Sequence, residues 1–140
     1  MEEVKLKIDA LKQLEVGFIG LGVMGYQMAA WTAKAGLSVS VYNRSSNVSK
    51  KWVKKFGGKN FSEPSELAET CDVIFICVGR DEDVVEVTSG ANGIFHTMKP
   101  GSLIVDHSTT SANLSRELGA IANQLNCNFI DAPVSGGEKG

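Results

Sequence analysis

The stretch FIGLGVMGYQMA, residues 18–29, holds three glycines in the spacing G-x-G-x-x-G: Gly20, Gly22 and Gly25. An apolar run before it predicts a β-strand and the residues after it predict a helix, the context in which this spacing binds a dinucleotide. Gly20 is expected to form the tight turn, Gly22 to let backbone approach a pyrophosphate, and Gly25 to let helix and strand pack closely. A plain strand-to-helix turn needs one glycine rather than three. The stretch therefore predicts a dinucleotide-binding loop, with the helix N-terminus facing the phosphates.

Strand and helix patterns alternate from this loop to the end of the chain. Strands are predicted at residues 16–20, 37–43, near 60, 73–78, 102–105 and from 127, and helices at residues 24–36, 47–57, 62–71 and 111–125. The six apolar residues after Asp72 predict a strand covered on both faces. Ser62 is the predicted cap of the helix with Pro64 in its first turn. Such alternation predicts right-handed β–α–β units and a Rossmann-type doubly wound parallel sheet of the α/β class, in a single domain.

Length and composition are those of one globular domain. The chain has 140 residues, of which 43% are hydrophobic and 21% charged, so it can build a core. We assign residues 15–140 to the nucleotide-binding domain and residues 1–14 to an amphipathic helical extension, with Val4, Ile8, Leu11 and Leu14 on one face. No apolar run approaches the ~20 residues that cross a bilayer. The N-terminal MEEVKLK resembles neither a signal peptide nor a transit peptide, which predicts a cytoplasmic protein.

Charge and cysteine content exclude several classes of partner. A formal net charge of −2 predicts no general attraction to nucleic acid or to an acidic membrane. Four lysines of the second helix are interpreted as a solvated face rather than a basic patch: Lys50, Lys51, Lys54 and Lys55. Three cysteines, without a C-x-x-C pair, indicate reduced structural thiols and no metal site: Cys71, Cys77 and Cys127.

The end of the second strand bears on the choice of cofactor. An NAD site usually has an Asp or Glu at this point, bonded to the ribose 2′-hydroxyl. Here the strand ends VYNRSS, with Asn43, Arg44 and Ser45 and no carboxylate in the stretch. Arg44 can form forked bonds to a 2′-phosphate, and its neighbours can donate to it. The stretch favours NADP, with NAD as the second choice; an exposed loop arginine is the alternative interpretation.

Four segments together resemble one known family. GFIGLGVMG, YNRS, DHSTT and above all DAPVSGGEKG are similar to motifs of the β-hydroxyacid dehydrogenases. This family includes 3-hydroxyisobutyrate dehydrogenase, tartronate semialdehyde reductase and, more distantly, 6-phosphogluconate dehydrogenase. The resemblance covers residues 16–140, and DHST fits the hydroxyisobutyrate branch better. It implies an oxidoreductase that transfers a hydride between NAD or NADP and a small β-hydroxyacid, in which a helical C-terminal domain follows this one.

The resemblance also implies the roles of particular residues. The first loop would bind pyrophosphate through Leu21, Gly22, Val23 and Met24, and Cys77 and Val78 would line the path from adenosine to nicotinamide. Ser108 and Thr109 would lie near the nicotinamide ribose. The substrate carboxylate would be held at the C-terminal loop, by Ser135, Gly136 and Gly137. These strand ends meet at the carboxyl edge of the sheet, where such folds bind ligands.

The resemblance places no catalytic residue within the 140 residues, because the family's catalytic lysine is expected on a helix beyond Gly140. Lys139 occupies a variable position of the S-G-G motif and is interpreted as an exposed lysine. His107 and Asp131 are interpreted as structural, and Ala112 replaces a common proline without removing the helix cap at residue 111.

Expectations for the whole protein follow from the same resemblance. The chain alone is expected to bind cofactor without turnover, and the parent is expected to form homo-oligomers through its missing C-terminal domain. A non-catalytic cofactor-binding or scaffolding module and an imine reductase on the same scaffold remain alternatives, because the fold alone does not separate them.

Overall fold

Six parallel strands form the centre of the computed structural model, which describes residues 1–134. The strands are β1 (Glu15–Ile19), β2 (Ser38–Tyr42), β3 (Lys59–Asn60), β4 (Val73–Ile76), β5 (Leu103–Asp106) and β6 (Asn128–Asp131). The helices are α1 (Glu2–Leu11), α2 (Val23–Lys34), α3 (Ser46–Phe56), α4 (Pro64–Thr70), α5 (Asp81–Thr88) and α6 (Ala112–Gln124), with a 3₁₀ turn at Ile94–His96. The predicted Rossmann-type sheet is confirmed.

The strand order places the carboxyl end of β1 at the middle of the sheet. The order is β3-β2-β1-β4-β5-β6, so the chain builds outward from β1 first in one direction and then in the other. Ile19, the last residue of β1, pairs with Tyr42 of β2 and with Ile76 of β4. The residues that follow these three strands therefore meet at the point where the strand order reverses, which is where open α/β sheets bind ligands.

Each face of the sheet carries its own apolar cluster. The α2–α3 face is packed around Phe18, Val41 and Trp52, which are at most 1% exposed. The opposite face is packed by α4, the 3₁₀ turn and α6 around residues such as Leu67 and Ile104, both fully buried. Two layers of helices on one sheet bury the apolar runs from which the strands are predicted.

Strand β4 is fully buried on one face and half-buried on the other, which corrects the prediction of a strand covered on both faces. Ile74 and Ile76 are fully buried, whereas Val73 and Phe75 on the other face are half-buried. Phe75 packs against the α2–α3 cluster and stacks on Phe18, so this face is only partly covered. Val73 and Phe75 also line a shallow apolar groove beside Leu14 and the exposed Trp31.

Two further elements differ from the sequence prediction. Helix α4 has Glu63, not Ser62, at its N-cap, and Pro64 occupies the first turn as predicted. Glu63 has the extended φ and ψ that a residue before a proline favours. Ser62 therefore lies one residue before the N-cap of α4. Helix α5 has no counterpart in the sequence prediction.

Helix α1 forms within the predicted extension, with exposed apolar side chains at positions 4 and 11. Val4 is 59% exposed and Leu11 is 53% exposed, while Leu14 joins the cluster on the α2–α3 face. The four lysines of α3 are exposed, as the interpretation of a solvated face requires. Among residues 1–134, none of the helices has the length and apolar character to cross a bilayer.

The two tryptophans provide a test of this packing. Trp52 is fully buried and its Nε1–H donates to the Tyr26 carbonyl over 3.3 Å, whereas Trp31 is 69% exposed. Trp52→Ala is expected to lower the free energy of unfolding by about 3–5 kcal/mol. Trp31→Ala, the matched control, is expected to lower it by about 1 kcal/mol or less. Urea denaturation followed by circular dichroism measures both, and equal losses would contradict the assignment of Trp52 to the core.

Candidate functional site

Two of the three loop glycines are required by the protein's own packing. Gly20 has a φ of +95°, and a Cβ there would lie 2.1 Å from the Cys77 carbonyl oxygen. A Cβ on Gly25 would lie 2.1 Å from the Gly20 carbonyl oxygen. Both clashes are with backbone atoms that cannot move without shifting β1, β4 or α2. These glycines therefore hold the N-terminus of α2 against the carboxyl ends of β1 and β4.

The middle glycine has a different environment. Apart from Gly22 itself and its two chain neighbours, no atom lies within 4 Å of the position that a Cβ on Gly22 would occupy. Gly22 is the N-cap of α2, and no side chain caps this helix. The first turn of a helix has N–H groups without intrahelical partners, and they carry partial positive charge. The space above Gly22 is thus shaped and charged to receive an anionic group, which fits the pyrophosphate of a dinucleotide.

Asn43 connects this loop to the end of β2. Its Oδ1 accepts the Leu21 N–H over 2.9 Å, and its Nδ2 donates to the Ser45 carbonyl over 3.1 Å. The Leu21 side chain is 5% exposed. Asn43 and Leu21 thus bond to each other, and the structure adds a positioning role for Asn43 to the phosphate contact predicted from the sequence. The exposed Val23 and the half-buried Met24 continue the loop into α2.

A cleft of about 150 Å³ runs from the glycine loop along the ends of β2 and β4. Six of its lining residues are among those predicted from the sequence: Gly20, Gly22, Asn43, Arg44, Cys77 and Val78. Five are not: Tyr42, Gly79, Asp83, Glu86 and Val87. Three of these belong to α5, whose signal in the sequence is an acidic first turn followed by valines three residues apart. The cleft lies at the carboxyl ends of β2 and β4, where a sheet of this kind binds ligands.

The polar end of the cleft contains charges of both signs. Arg44 is 78% exposed, and its Nη1 lies 3.5 Å from Oδ1 of Asp83. The end of β2 lacks a carboxylate, but α5 brings one to the same place. Burial raises the pKa of Tyr42, and the nearby carboxylates of Glu63 and Glu86 raise it further. Tyr42 therefore lines the cleft as a neutral phenol at physiological pH.

The end of β5 is bonded into the sheet. Ser108 is 4% exposed, and its Oγ accepts the Val78 N–H over 3.0 Å. Asp106, fully buried, accepts the Ser108 N–H over 3.0 Å and also the hydroxyl of Thr110. Thr109 is exposed. Ser108 therefore connects the end of β5 to Val78 in the wall of the cleft. Neither Ser108 nor Thr109 lines the cleft itself. Their predicted contact with the nicotinamide ribose remains a prediction.

His107 holds the chain that leaves β6. Its ring stacks on Phe75 with centroids 5.7 Å apart, and its Nδ1 lies 2.8 Å from the Ala132 carbonyl oxygen, to which it donates. Asp131 is exposed. Ser111 caps α6 as predicted, accepting the Leu114 N–H over 3.3 Å.

The C-terminal loop on which the substrate prediction depends falls beyond residue 134. The predicted substrate residues and the end of the motif lie outside the described residues: Ser135, Gly136, Gly137, Lys139 and Gly140. The predicted position of a catalytic lysine beyond Gly140 is outside the chain itself. The carboxylate site and the absence of a catalytic residue from these 140 residues therefore stay predictions.

Cys77 provides a test of the cleft wall. The pKa of its thiol is raised to about 11, mainly by burial and to a smaller extent by the charge of Asp106. Near pH 8 only about one thiol in a thousand would be ionised, so we expect slow alkylation by iodoacetamide in the folded chain and fast alkylation in urea. Mass spectrometry of the Cys77 peptide measures the two rates. The folded rate should rise as the pH approaches 11; equal rates in both states would contradict a desolvated thiol.

Comparisons with known proteins agree with this geometry. The family profile for the NAD binding domain of 6-phosphogluconate dehydrogenase matches residues 15–140. An uncharacterized oxidoreductase of Shewanella frigidimarina is 47% identical over 126 residues, which are 90% of this chain and 43% of that protein. The mitochondrial 3-hydroxyisobutyrate dehydrogenase of Mus musculus is 43% identical over 122 residues, which are 87% of this chain and 36% of that protein. The chain thus spans less than half the length of these relatives.

Solved structures lead to the same family. A 3-hydroxyisobutyrate dehydrogenase from Salmonella typhimurium superimposes with a TM-score of 0.82 at 33% identity, over 89% of this chain and 43% of that one. Psf3, solved in complex with NADP+ and 2-OPP, superimposes with a TM-score of 0.80 at 29% identity, over 87% of this chain and 43% of that one. The resemblance to the β-hydroxyacid dehydrogenases is confirmed. The chain belongs to the family of the NAD-binding domain of 6-phosphogluconate dehydrogenase, and its relatives in that family are 3-hydroxyisobutyrate dehydrogenase-like oxidoreductases.

Proposed function

We propose that this chain is the NADP-binding domain of an oxidoreductase that transfers a hydride between NADP and a small β-hydroxyacid. The observation that carries the proposal is the empty space at Gly22, beside the uncapped N-terminus of α2. Packing alone explains Gly20 and Gly25, but it does not explain a glycine at position 22. A bound pyrophosphate does, because its oxygens need the space that any side chain would fill.

Residues along the cleft would bind the cofactor in order from loop to strand end. The N–H groups of Val23 and Met24 would donate to the pyrophosphate, and the α2 dipole would add favourable charge. Cys77 and Val78 would provide an uncharged wall. NADP, when bound, supplies the hydride acceptor, and the protein's contribution is to position it and to exclude water. Asn43 would keep the glycine loop at a fixed distance from the end of β2 through its bond to Leu21.

Arg44 supports NADP over NAD. It is the basic residue among those lining the cleft, it is exposed, and it follows the strand whose end contacts the 2′-position in this fold. A guanidinium forms forked, charge-assisted bonds to phosphate. Psf3, which shares the fold at 29% identity, is described as a complex with NADP+.

The activity of the whole protein is part of the same proposal. Ser135, Gly136 and Gly137 would hold the substrate carboxylate, Ser108 and Thr109 would lie near the nicotinamide ribose, and a lysine outside this chain would exchange the proton of the hydroxyl. Oxidation of 3-hydroxyisobutyrate by the full-length protein, followed by NADPH absorbance, tests this part. We also propose that the whole protein forms homo-oligomers and is located in the cytoplasm. The mouse relative, by contrast, is a mitochondrial protein.

Gly22→Val tests the observation that carries the proposal. The added side chain enters open space, so the unfolding temperature and circular dichroism spectrum should stay near those of the wild type, while calorimetry should detect no binding of NADPH or NADH. Gly25→Val is the matched control, because its side chain meets backbone at 2.1 Å and should destabilise the fold itself. Full dinucleotide affinity in a folded Gly22→Val chain would remove the pyrophosphate from this loop.

Arg44→Ala tests the choice of cofactor. A charge-assisted hydrogen bond is worth about 1.5–3 kcal/mol, so the variant should lose about ten- to a hundredfold of NADPH affinity and keep its NADH affinity. Lys51→Ala, which removes the same charge from an exposed position of α3, is the control and should leave both affinities unchanged. Calorimetric titration with each cofactor gives the four comparisons. Equal affinities of the wild-type chain for NADPH and NADH would contradict the NADP assignment.

A further inference from the structure

A carboxylate from α5 lies against the basic residue of the cleft. Oδ1 of Asp83 is 3.5 Å from Nη1 of Arg44, although 39 residues separate the two in the chain. Glu86, one turn further along α5, lines the same cleft. The cleft is therefore lined by one arginine and two carboxylates, and a phosphate entering it meets opposing charges.

The two partners of this ion pair differ in how firmly they are held. Oδ2 of Asp83 accepts the Arg80 N–H over 3.1 Å, a bond that caps the start of α5. The Asp83 side chain is 27% exposed. Arg44 is 78% exposed, and its guanidinium has donors free to turn toward a ligand. A ligand can reorient Arg44 at little cost, but moving Asp83 breaks the cap of α5.

We propose that Asp83 opposes the 2′-phosphate of NADP and thereby weakens the preference for NADP over NAD that Arg44 confers. The inference rests on the proposed function, because it requires that phosphate to bind at Arg44. Two effects act together: the carboxylate competes for the guanidinium, and it repels a dianionic phosphate placed beside it. NAD carries a hydroxyl in place of the phosphate, which a carboxylate does not repel and from which it can accept a hydrogen bond.

Asp83→Asn isolates this charge. The amide oxygen of asparagine can still accept the Arg80 N–H, so the capping of α5 is retained while the negative charge is lost. The matched control is Glu82→Gln, which removes one negative charge from the adjacent, exposed position of the same turn. Calorimetry at low salt should show that Asp83→Asn binds NADPH about three- to tenfold more tightly than the wild type. Its NADH affinity should be unchanged or slightly weaker, and Glu82→Gln should leave both affinities unchanged.

Each other outcome would contradict the inference. Unchanged or weaker NADPH binding by Asp83→Asn would show that Asp83 does not oppose the phosphate, and an equal gain in Glu82→Gln would show only a general effect of net charge. Asp83→Gln, also neutral and able to cap, replaces the asparagine variant if thermal unfolding shows that the latter is not folded. Failure of the proposed function gives a different result, because the wild type would then bind neither cofactor or Arg44→Ala would leave NADPH binding intact.

Discussion

Close contact between backbone atoms at the end of β1 is the constraint on which the rest of the site depends. Gly20 lets the turn after β1 approach the Cys77 carbonyl, and Gly25 lets the start of α2 approach the Gly20 carbonyl, each to a distance that no Cβ permits. This contact fixes the N-terminus of α2 over the junction of β1 and β4. Gly22, between them, is then held at the mouth of the cleft, although nothing in the protein's own packing requires a glycine there.

Strand order converts this local contact into a binding cleft. Because β1 pairs with both β2 and β4, the residues that follow these strands lie beside the glycine loop and line the cleft with it. The bond from Leu21 to Asn43 joins the loop to the end of β2, and the bond from Val78 to Ser108 joins β4 to β5. Polar groups thus fix the relative positions of loops whose apolar strands are fixed by the core. Arg44 lies at the end of β2 on this frame, and we propose that its charge discriminates between the cofactors.

The sheet, the glycine loop and the polar end of β2 could be predicted from the sequence because each rests on local patterns, whereas the place of Cys77 and Val78 in the cleft followed from the family resemblance. Apolar runs bounded by glycine predict the strands, and the G-x-G-x-x-G spacing predicts the turn. The ion pair of Arg44 with Asp83 could not be predicted. Helix α5 is short and its polar and apolar residues show no clear helical period, and 39 residues separate Asp83 from Arg44. The partial exposure of Val73 and Phe75 could not be predicted for a related reason: an apolar strand predicts burial but does not indicate how completely the helices cover each face.

The central claim is that a dinucleotide lies over the N-terminus of α2 and extends to the end of β2. The most direct test is a titration of the nitrogen-labelled chain with NADP, followed by the NMR shifts of its backbone amides. The account predicts the largest shifts at Gly22, Val23, Met24 and Arg44, with little change along α6. Saturable shifts confined to the apolar groove beside Trp31, with an unchanged glycine loop, would contradict it.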